Sequence, residues 1–308
     1  MVYIGGNYTD VNGNPNAIMF RITTDPQNPG KDPSQWTLSP LGNINRIAGG
    51  KDDAKRITSA PSAAMDDMAN LWVYFGTGQF FGASDKNRTD TGAFYAIKDK
   101  CWDGRSCISS SSAPALIDIS TSEVALDGTV TGVKGCSDTI KSWTDLINAS
   151  NTCDGWVLYY KRRGEREDFT GERLARYGER SLSKPLVFGG LVSWGTYIPG
   201  KNECAPDKGE NHAYSVYYKT GTAFKYYVFD EQKKQAEEES LNNASGLVAR
   251  IKKLKIVHPP APPTAQITAK GTVKIFFPGG EAAISGIESN TPLSMKSGIA
   301  GCKNEEIP

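Results

Sequence analysis

The chain has 308 residues with 35 basic and 34 acidic side chains, a net charge of +1, so a strongly electrostatic partner such as duplex nucleic acid is not indicated. At this length it buries roughly three quarters of its unfolded surface, which makes a real core in one large domain or two. Glycine (32), proline (17) and 10% aromatic residues, arranged as β-branched and aromatic runs between glycines, argue for a mainly β fold.

Residues 1–100 read as hairpins. Strands are expected at Val2–Ile4 and Ala17–Ile22, around the polar turn 10–16, with a further short strand at Gln35–Leu38. Leu71–Phe75 and Ala93–Ile97 are strands flanking a second polar turn, Ser84–Thr91. Gly76-Thr-Gly78 closes the first of them. It lacks the Lys-Ser/Thr ending of a phosphate loop and reads as a tight turn. The chain opens on Met1-Val-Tyr-Ile-Gly-Gly6, the middle of a strand rather than a basic leader with an apolar core. For an exported protein, the expectation is therefore a fragment, a mature product or half of a split protein. No window approaches the ~18 apolar residues of a membrane span.

Residues 101–183 change character, with a serine run (Ser109–Ser112), a short helix and a charge cluster. The helix rests on Ile140, Trp143 and Ile147 at i, i+3, i+7, with Ser137 or Asp138 as cap. The mixed-sign cluster from Lys161 to Arg180 reads as a solvated surface. This whole segment is expected to be a loop-rich, disulfide-bridged insertion presenting a partner-specific face, so that its deletion spares folding.

Residues 184–308 return to strands. Apolar and aromatic residues run from Leu186 to Ile198 almost without a break, as in a strand covered on both faces. Its small residues, Gly189, Gly190, Ser193 and Gly195, would let a neighbouring backbone come close. Ala213–Tyr218, Phe224–Phe229, Val248–Val257, Lys270–Phe277 and Ala282–Ile287 are further strands, 230–240 a polar helix or loop, and 259–263 a stiff proline connector. Trp72, Tyr74, Phe75, Trp194 and Tyr197 are expected in the core. The recurring strand–turn–strand units suggest a sandwich or propeller blades. At about 40–50 residues per blade the chain supplies part of a ring.

Cys101, Cys107, Cys136, Cys153, Cys204 and Cys302 are even in number, lie in polar sequence and form no C-x-x-C pair. Disulfides in an oxidising compartment are expected. The pairs Cys101–Cys107 and Cys136–Cys153 would close local loops, and Cys204–Cys302 would join distant segments. Asp10, Asn12, Asn14 and Asn16 place oxygens at alternate positions, and Asp85, Asn87 and Asp90 form a second cluster. Both are calcium candidates, weighed against ordinary hairpin turns. The two histidines, His212 and His258, carry no catalytic signature and are expected to be structural.

The ordered series Leu71–Phe80, Asp85-Lys86, Phe94–Asp99, Asp154–Trp156, Gly178–Arg180, Lys184–Gly190, Thr196–Pro199, Cys204, Gly209 and Tyr214–Gly221 resembles the PilY-type proteins of bacterial type IV pili. Val2–Gly6 with Phe20-Arg21, and Pro33–Trp36, extend the likeness toward the start. The resemblance implies a partial β-propeller from the family's C-terminal region, exported through the periplasm to the pilus tip or outer cell surface. It implies a non-enzymatic role in pilus biogenesis, adhesion and twitching motility. The implied partners are minor pilins and the tip complex, an upstream chain completing the propeller, and a host or abiotic surface. The family's calcium loop falls before the strand at which this chain begins, so its ligands have no counterpart here. A quinone-dependent propeller dehydrogenase and a structural filament component are the alternatives; the first needs a calcium-built cofactor pocket and usually adjacent cysteines, which this sequence lacks.

Overall fold

Strand formation in this chain follows from two kinds of apolar run: alternating ones near the start, and unbroken ones such as Leu71–Gly76 and Ala93–Asp99 that are buried on both faces. The computed structural model describes residues 1–9, 11, 15–24, 32–42, 56–87, 90, 92–102, 114–136, 139–160, 166–167, 173–174, 178–200, 209–230, 232, 246–256, 258–267, 273–277 and 283–285. Its strands, in chain order, are β1 (Val2–Thr9), β2 (Pro15–Thr23), β3 (Thr37–Gly42), β4 (Ser62–Met65), β5 (Leu71–Gly76), β6 (Ala93–Asp99), β7 (Leu116–Asp118), β8 (Glu123–Val124), β9 (Val130–Thr131) and β10 (Lys134–Gly135). After helix α1 (Trp143–Thr152) come β11 (Gly155–Tyr159), β12 (Arg166–Glu167), β13 (Arg173–Leu174), β14 (Arg180–Ser181), β15 (Leu186–Phe188), β16 (Leu191–Ile198), β17 (Glu210–Tyr217), β18 (Ile251–Leu254), β19 (Thr264–Ile267), β20 (Val273–Phe276) and β21 (Ala283–Ser285). The fold is mainly β, as the composition indicates.

The sheets stack face on face. In the antiparallel sheet β1-β2-β3, the inner residues Ala17 and Met19 pack with Val73, Phe75, Tyr95, Val157 and Tyr159 of the central sheet. That central sheet runs β10-β7-β11-β6-β5-β4. Its other face carries Trp72, Tyr74, Phe94 and Trp156, which meet Val192, Trp194, Tyr214 and Val216 of the sheet β14-β16-β17-β18. The Phe94 and Trp194 rings stack at 3.8 Å, and Trp194 stacks on Tyr214 at 4.9 Å. Each such pair adds about 1 kcal/mol beyond the area it buries. The sheet β19-β20-β21 joins the same core through Ile275 and Phe277.

Polar groups crossing between layers are paired. Arg21 of β2 forms a buried salt bridge with Asp99 of β6, and Tyr3 of β1 donates to the same carboxylate at 2.7 Å. Burial first, then the hydrogen bond to Asp99, pushes the Tyr3 hydroxyl well above its ordinary range. The Nζ of Lys98 donates to the carbonyls of Ser150 (2.6 Å) and Asn151 (3.0 Å) in the last turn of α1, where a cation offsets the helix dipole.

Several expectations are corrected. Residues 101–183 are not an insertion apart from the sheets, because β11 lies in the middle of the central sheet, antiparallel to β6 and parallel to β7. Its Trp156 is fully buried and donates to the carbonyl of Tyr218 at 3.0 Å, so deleting the segment removes core. Helix α1 starts later than expected. Ser142 is its cap, accepting from Asp145 N while the Asp145 carboxylate accepts from Ser142 N in a capping box. Ile140 packs just before the helix, and Ser137 and Asp138 lie outside the described residues.

The run Leu186–Ile198 is a hairpin, not one strand. Gly189 and Gly190 take positive φ (+58° and +79°), as a two-residue turn of this hand requires, and a Cβ on Gly189 would meet nothing. Gly76-Thr-Gly78 is not a tight turn. Thr77 N donates to Ala93 O and Ser181 N to Thr77 O, so the backbone threads between β6 and β14. A Cβ on Gly76 would lie 2.2 Å from Ser181, and close approach is what demands glycine there. Phe224–Phe229 forms no strand, because the turn at residues 218–221 carries the chain off the end of the sheet; Phe224, Val228 and Phe229 are buried while Tyr226 is exposed. Phe224 then packs against Trp143 and Tyr217.

Candidate functional site

The loop after β5 presents the most exposed aromatic ring among the described residues, Phe81, at 77% exposure. Its neighbour Phe80 points inward and meets Tyr197 edge-on at 5.3 Å. A single-turn helix, Ala83–Asn87, follows. The buried carboxylate of Asp85 holds the loop from inside, accepting from Phe81 N at 2.7 Å, Gly82 N at 3.4 Å and Gln79 Nε2 at 2.8 Å. Arg180 of β14 braces it from below, donating to the carbonyls of Asp85 (2.8 Å) and Gln79 (3.1 Å). An exposed apolar ring on a loop with so little freedom left suits a contact surface, since ordering costs on binding are small.

Beneath the loop is a buried polar cluster. Glu179 Oε1 accepts from Thr196 Oγ1 at 2.6 Å and from Tyr214 OH at 2.9 Å, and faces His212 Nδ1 at 2.8 Å. His212 Nε2 faces Glu210 Oε1 at 2.5 Å, and Lys253 lies 3.3 Å from Glu210 Oε2. The His212 and Glu179 side chains are 0% and 1% exposed, and the cluster ties the residue before β14 to β16, β17 and β18. The Lys161–Arg180 cluster is therefore core, not solvated surface, at its end: Glu179 and Arg180 are each 1% exposed. The only signal for it in the sequence is the Gly178-Glu-Arg180 motif. His258 is exposed, with Nδ1 3.2 Å from Pro259 O.

Of the calcium candidates, Asp10, Asn12 and Asn14 lie outside the described residues. Asn16 is buried in β2 opposite Tyr8. Asp85 is turned inward as above, Asn87 ends the short helix, and Asp90 is half-buried. Among the described residues no three His, Cys, Asp or Glu side chains gather into a metal-binding group. Cys136 and Cys153 form a disulfide with Cα atoms 6.0 Å apart, and Cys101 is also disulfide-bonded. Cys107, Cys204 and Cys302 lie outside the described residues. No described helix is long and apolar enough to cross a membrane.

No family model matches the chain. A curated relative, the type IV pilus biogenesis factor PilY1 homolog of Xylella fastidiosa, is 27% identical over 200 residues, covering 63% of this chain and 12% of that protein. Among solved structures, the PilY1 C-terminal domain of Pseudomonas aeruginosa superposes with a TM-score of 0.56 at 18% identity, over 91% of this chain and 59% of that one. This chain thus spans a small part of the curated relative and over half of the solved domain. By sequence and by fold it is a relative of the PilY-type proteins, sharing the mainly β architecture of their C-terminal domain.

Proposed function

We propose that this chain is a non-enzymatic, propeller-like domain of a type IV pilus-associated protein, acting in pilus assembly and surface adhesion from the pilus tip or outer cell surface. The observation that carries the reading is the 27% identity over 200 residues to a pilus biogenesis factor, supported by the fold match. Stacked sheets supply a rigid scaffold, and loops at their ends supply contact. Phe81 is the residue assigned to that contact, with minor pilins or an attachment surface as the occupant. The Cys136–Cys153 disulfide fits export to an oxidising compartment.

The test is a strain of the source bacterium lacking this region, complemented with wild type or Phe81→Ser. Loss of surface pili and attachment in the deletion strain is expected, with Phe81→Ser restoring pili but binding surfaces several-fold less. Unchanged piliation and attachment in the deletion strain would sink the reading. Purified protein should show no visible absorbance from a bound quinone.

A further inference from the structure

The chain leaving β5 has a second support besides Arg180, the segment 56–58. Gly78 N donates to Arg56 O at 2.7 Å, and Thr58 Oγ1 donates to Gly78 O at 2.8 Å. The same segment is clamped to β1: Asn7 Nδ2 donates to Ile57 O and Ile57 N donates to Asn7 Oδ1, both at 2.8 Å. The Ile57 side chain belongs to the core cluster of Val73 and Phe75. Arg56 is thereby fixed at the end of the sheets where Phe81 emerges. Phe81 follows Gly78 by three residues, at most about 10 Å of chain.

Arg56 is half-buried and poorly satisfied. Its Nη2 reaches Thr9 Oγ1 only at 3.5 Å, and its Nε is buried with no acceptor. By contrast, Arg21 is bridged by Asp99, and Arg250 donates to the carbonyls of Ile119 and Ser120. Among the described residues no carboxylate lies within ion-pair distance of Arg56, nor of half-buried Lys86 in the single-turn helix after Phe81. A guanidinium donor shielded from water and lacking an acceptor costs free energy, which an incoming carboxylate recovers through charge-assisted hydrogen bonds. Of the two described carboxylates in the β5–β6 loop, Asp85 faces inward and Asp90 is half-buried. An exposed ring therefore stands between two cations that have no counter-charge of their own.

We propose that Phe81, Arg56 and Lys86 form one docking site for an acidic peptide segment of a partner protein. An apolar side chain of the partner packs on the Phe81 ring. A carboxylate about three residues away along its extended backbone, at ~3.3 Å per residue, pairs with Arg56. Lys86 adds attraction at the rim. This inference names the partner chemistry for the contact assigned above to Phe81, and it rests on that reading. An anionic membrane suits the site less well, because surface attachment takes clusters of roughly four to eight cations.

The test is an array of random decapeptides probed with the purified 308-residue chain as wild type, Phe81→Ser, Arg56→Gln and Arg56→Glu. Wild type should select peptides that carry Asp or Glu within a few residues of a large apolar side chain, and added salt should weaken the signal. Phe81→Ser and Arg56→Gln should each lower it about ten-fold, and Arg56→Glu should turn the selection toward Lys and Arg. Matching melting curves for all four proteins show that each is folded. A wild-type selection with no acidic preference overturns the proposal, as does an acidic preference that Arg56→Gln leaves intact. Co-sedimentation of the chain with phosphatidylserine vesicles, without peptide selection, also overturns it, because the occupant is then a membrane. Acidic selection beside normal piliation and attachment in the deletion strain would sink the pilus reading alone. No acidic selection, with attachment lost in Phe81→Ser, would sink the docking site alone.

Discussion

The disulfide between Cys136 and Cys153 closes the connection that carries the chain from β7 to the parallel strand β11. Replacing both cysteines by alanine should cost about 3 kcal/mol. The bridged residues are 17 apart, and the chain-entropy relation gives about −10 cal/mol/K for a loop of that length, or about 3 kcal/mol at 25 °C. Cys153 is also 1% exposed and caps α1 through its N–H to Ala149 O, so the lost sulfur leaves a small void that adds to the cost. The assay is equilibrium urea unfolding of oxidised wild type and the double variant, followed by circular dichroism. The midpoint should fall, with a slope that rises modestly because the unbridged chain exposes more surface when unfolded. A loss under 1 kcal/mol would refute the reasoning, since the crossover would then be held by packing alone.

Asp66 accepts from Met68 N and Asn70 N, which closes the β4–β5 turn around Ala69 at φ +60°, and from Trp72 Nε1 at 2.9 Å. Burial works to raise its pKa, but hydrogen bonds from Trp72 and Asn70 prevail and hold the carboxyl below its ordinary 3.8. Its contribution is therefore present above about pH 4 and lost as pH falls through the lowered value. Asp66→Asn should lower stability at neutral pH and flatten the acid limb of a stability–pH curve; an unchanged acid limb counts against the assignment. Ser142→Ala removes the capping box and should cost about 1 kcal/mol in urea unfolding, with no effect if the cap is idle. A chain lacking residues 114–160 loses Trp156, β7, β11 and α1, and should show no cooperative thermal transition; a cooperative melt would mean the central sheet closes without them.

The strands at Leu71–Phe75 and Ala93–Ile97 were legible to within two residues because unbroken apolar runs leave the chain few other ways to be buried. The six-stranded sheet was not, because β7 is three residues long and β11 follows a polar stretch, and their pairing is set by partners far away in sequence. Phe224–Phe229 has the composition of a strand, but a turn that no local pattern announces decides its path. For the candidate site, the sequence offered Asp85 as a carboxylate in a turn without revealing that it faces inward. Phe81 was missed because an exposed aromatic and a core aromatic look alike until the backbone is traced. Glu179 was hidden in a run of charges whose sign pattern resembles surface.

The parallel pairing of β7 with β11 has a mechanical consequence. Tension applied at the start of β7 and the end of β11 drags the two strands past each other, so their hydrogen bonds resist together. The hairpin β16–β17, pulled from its open end, peels one rung at a time. The sulfur bridge inside the β7–β11 crossover also withholds about 60 Å of contour length from any extension. A domain wired in this way would yield first at the β16–β17 hairpin and keep its middle sheet knit under pull.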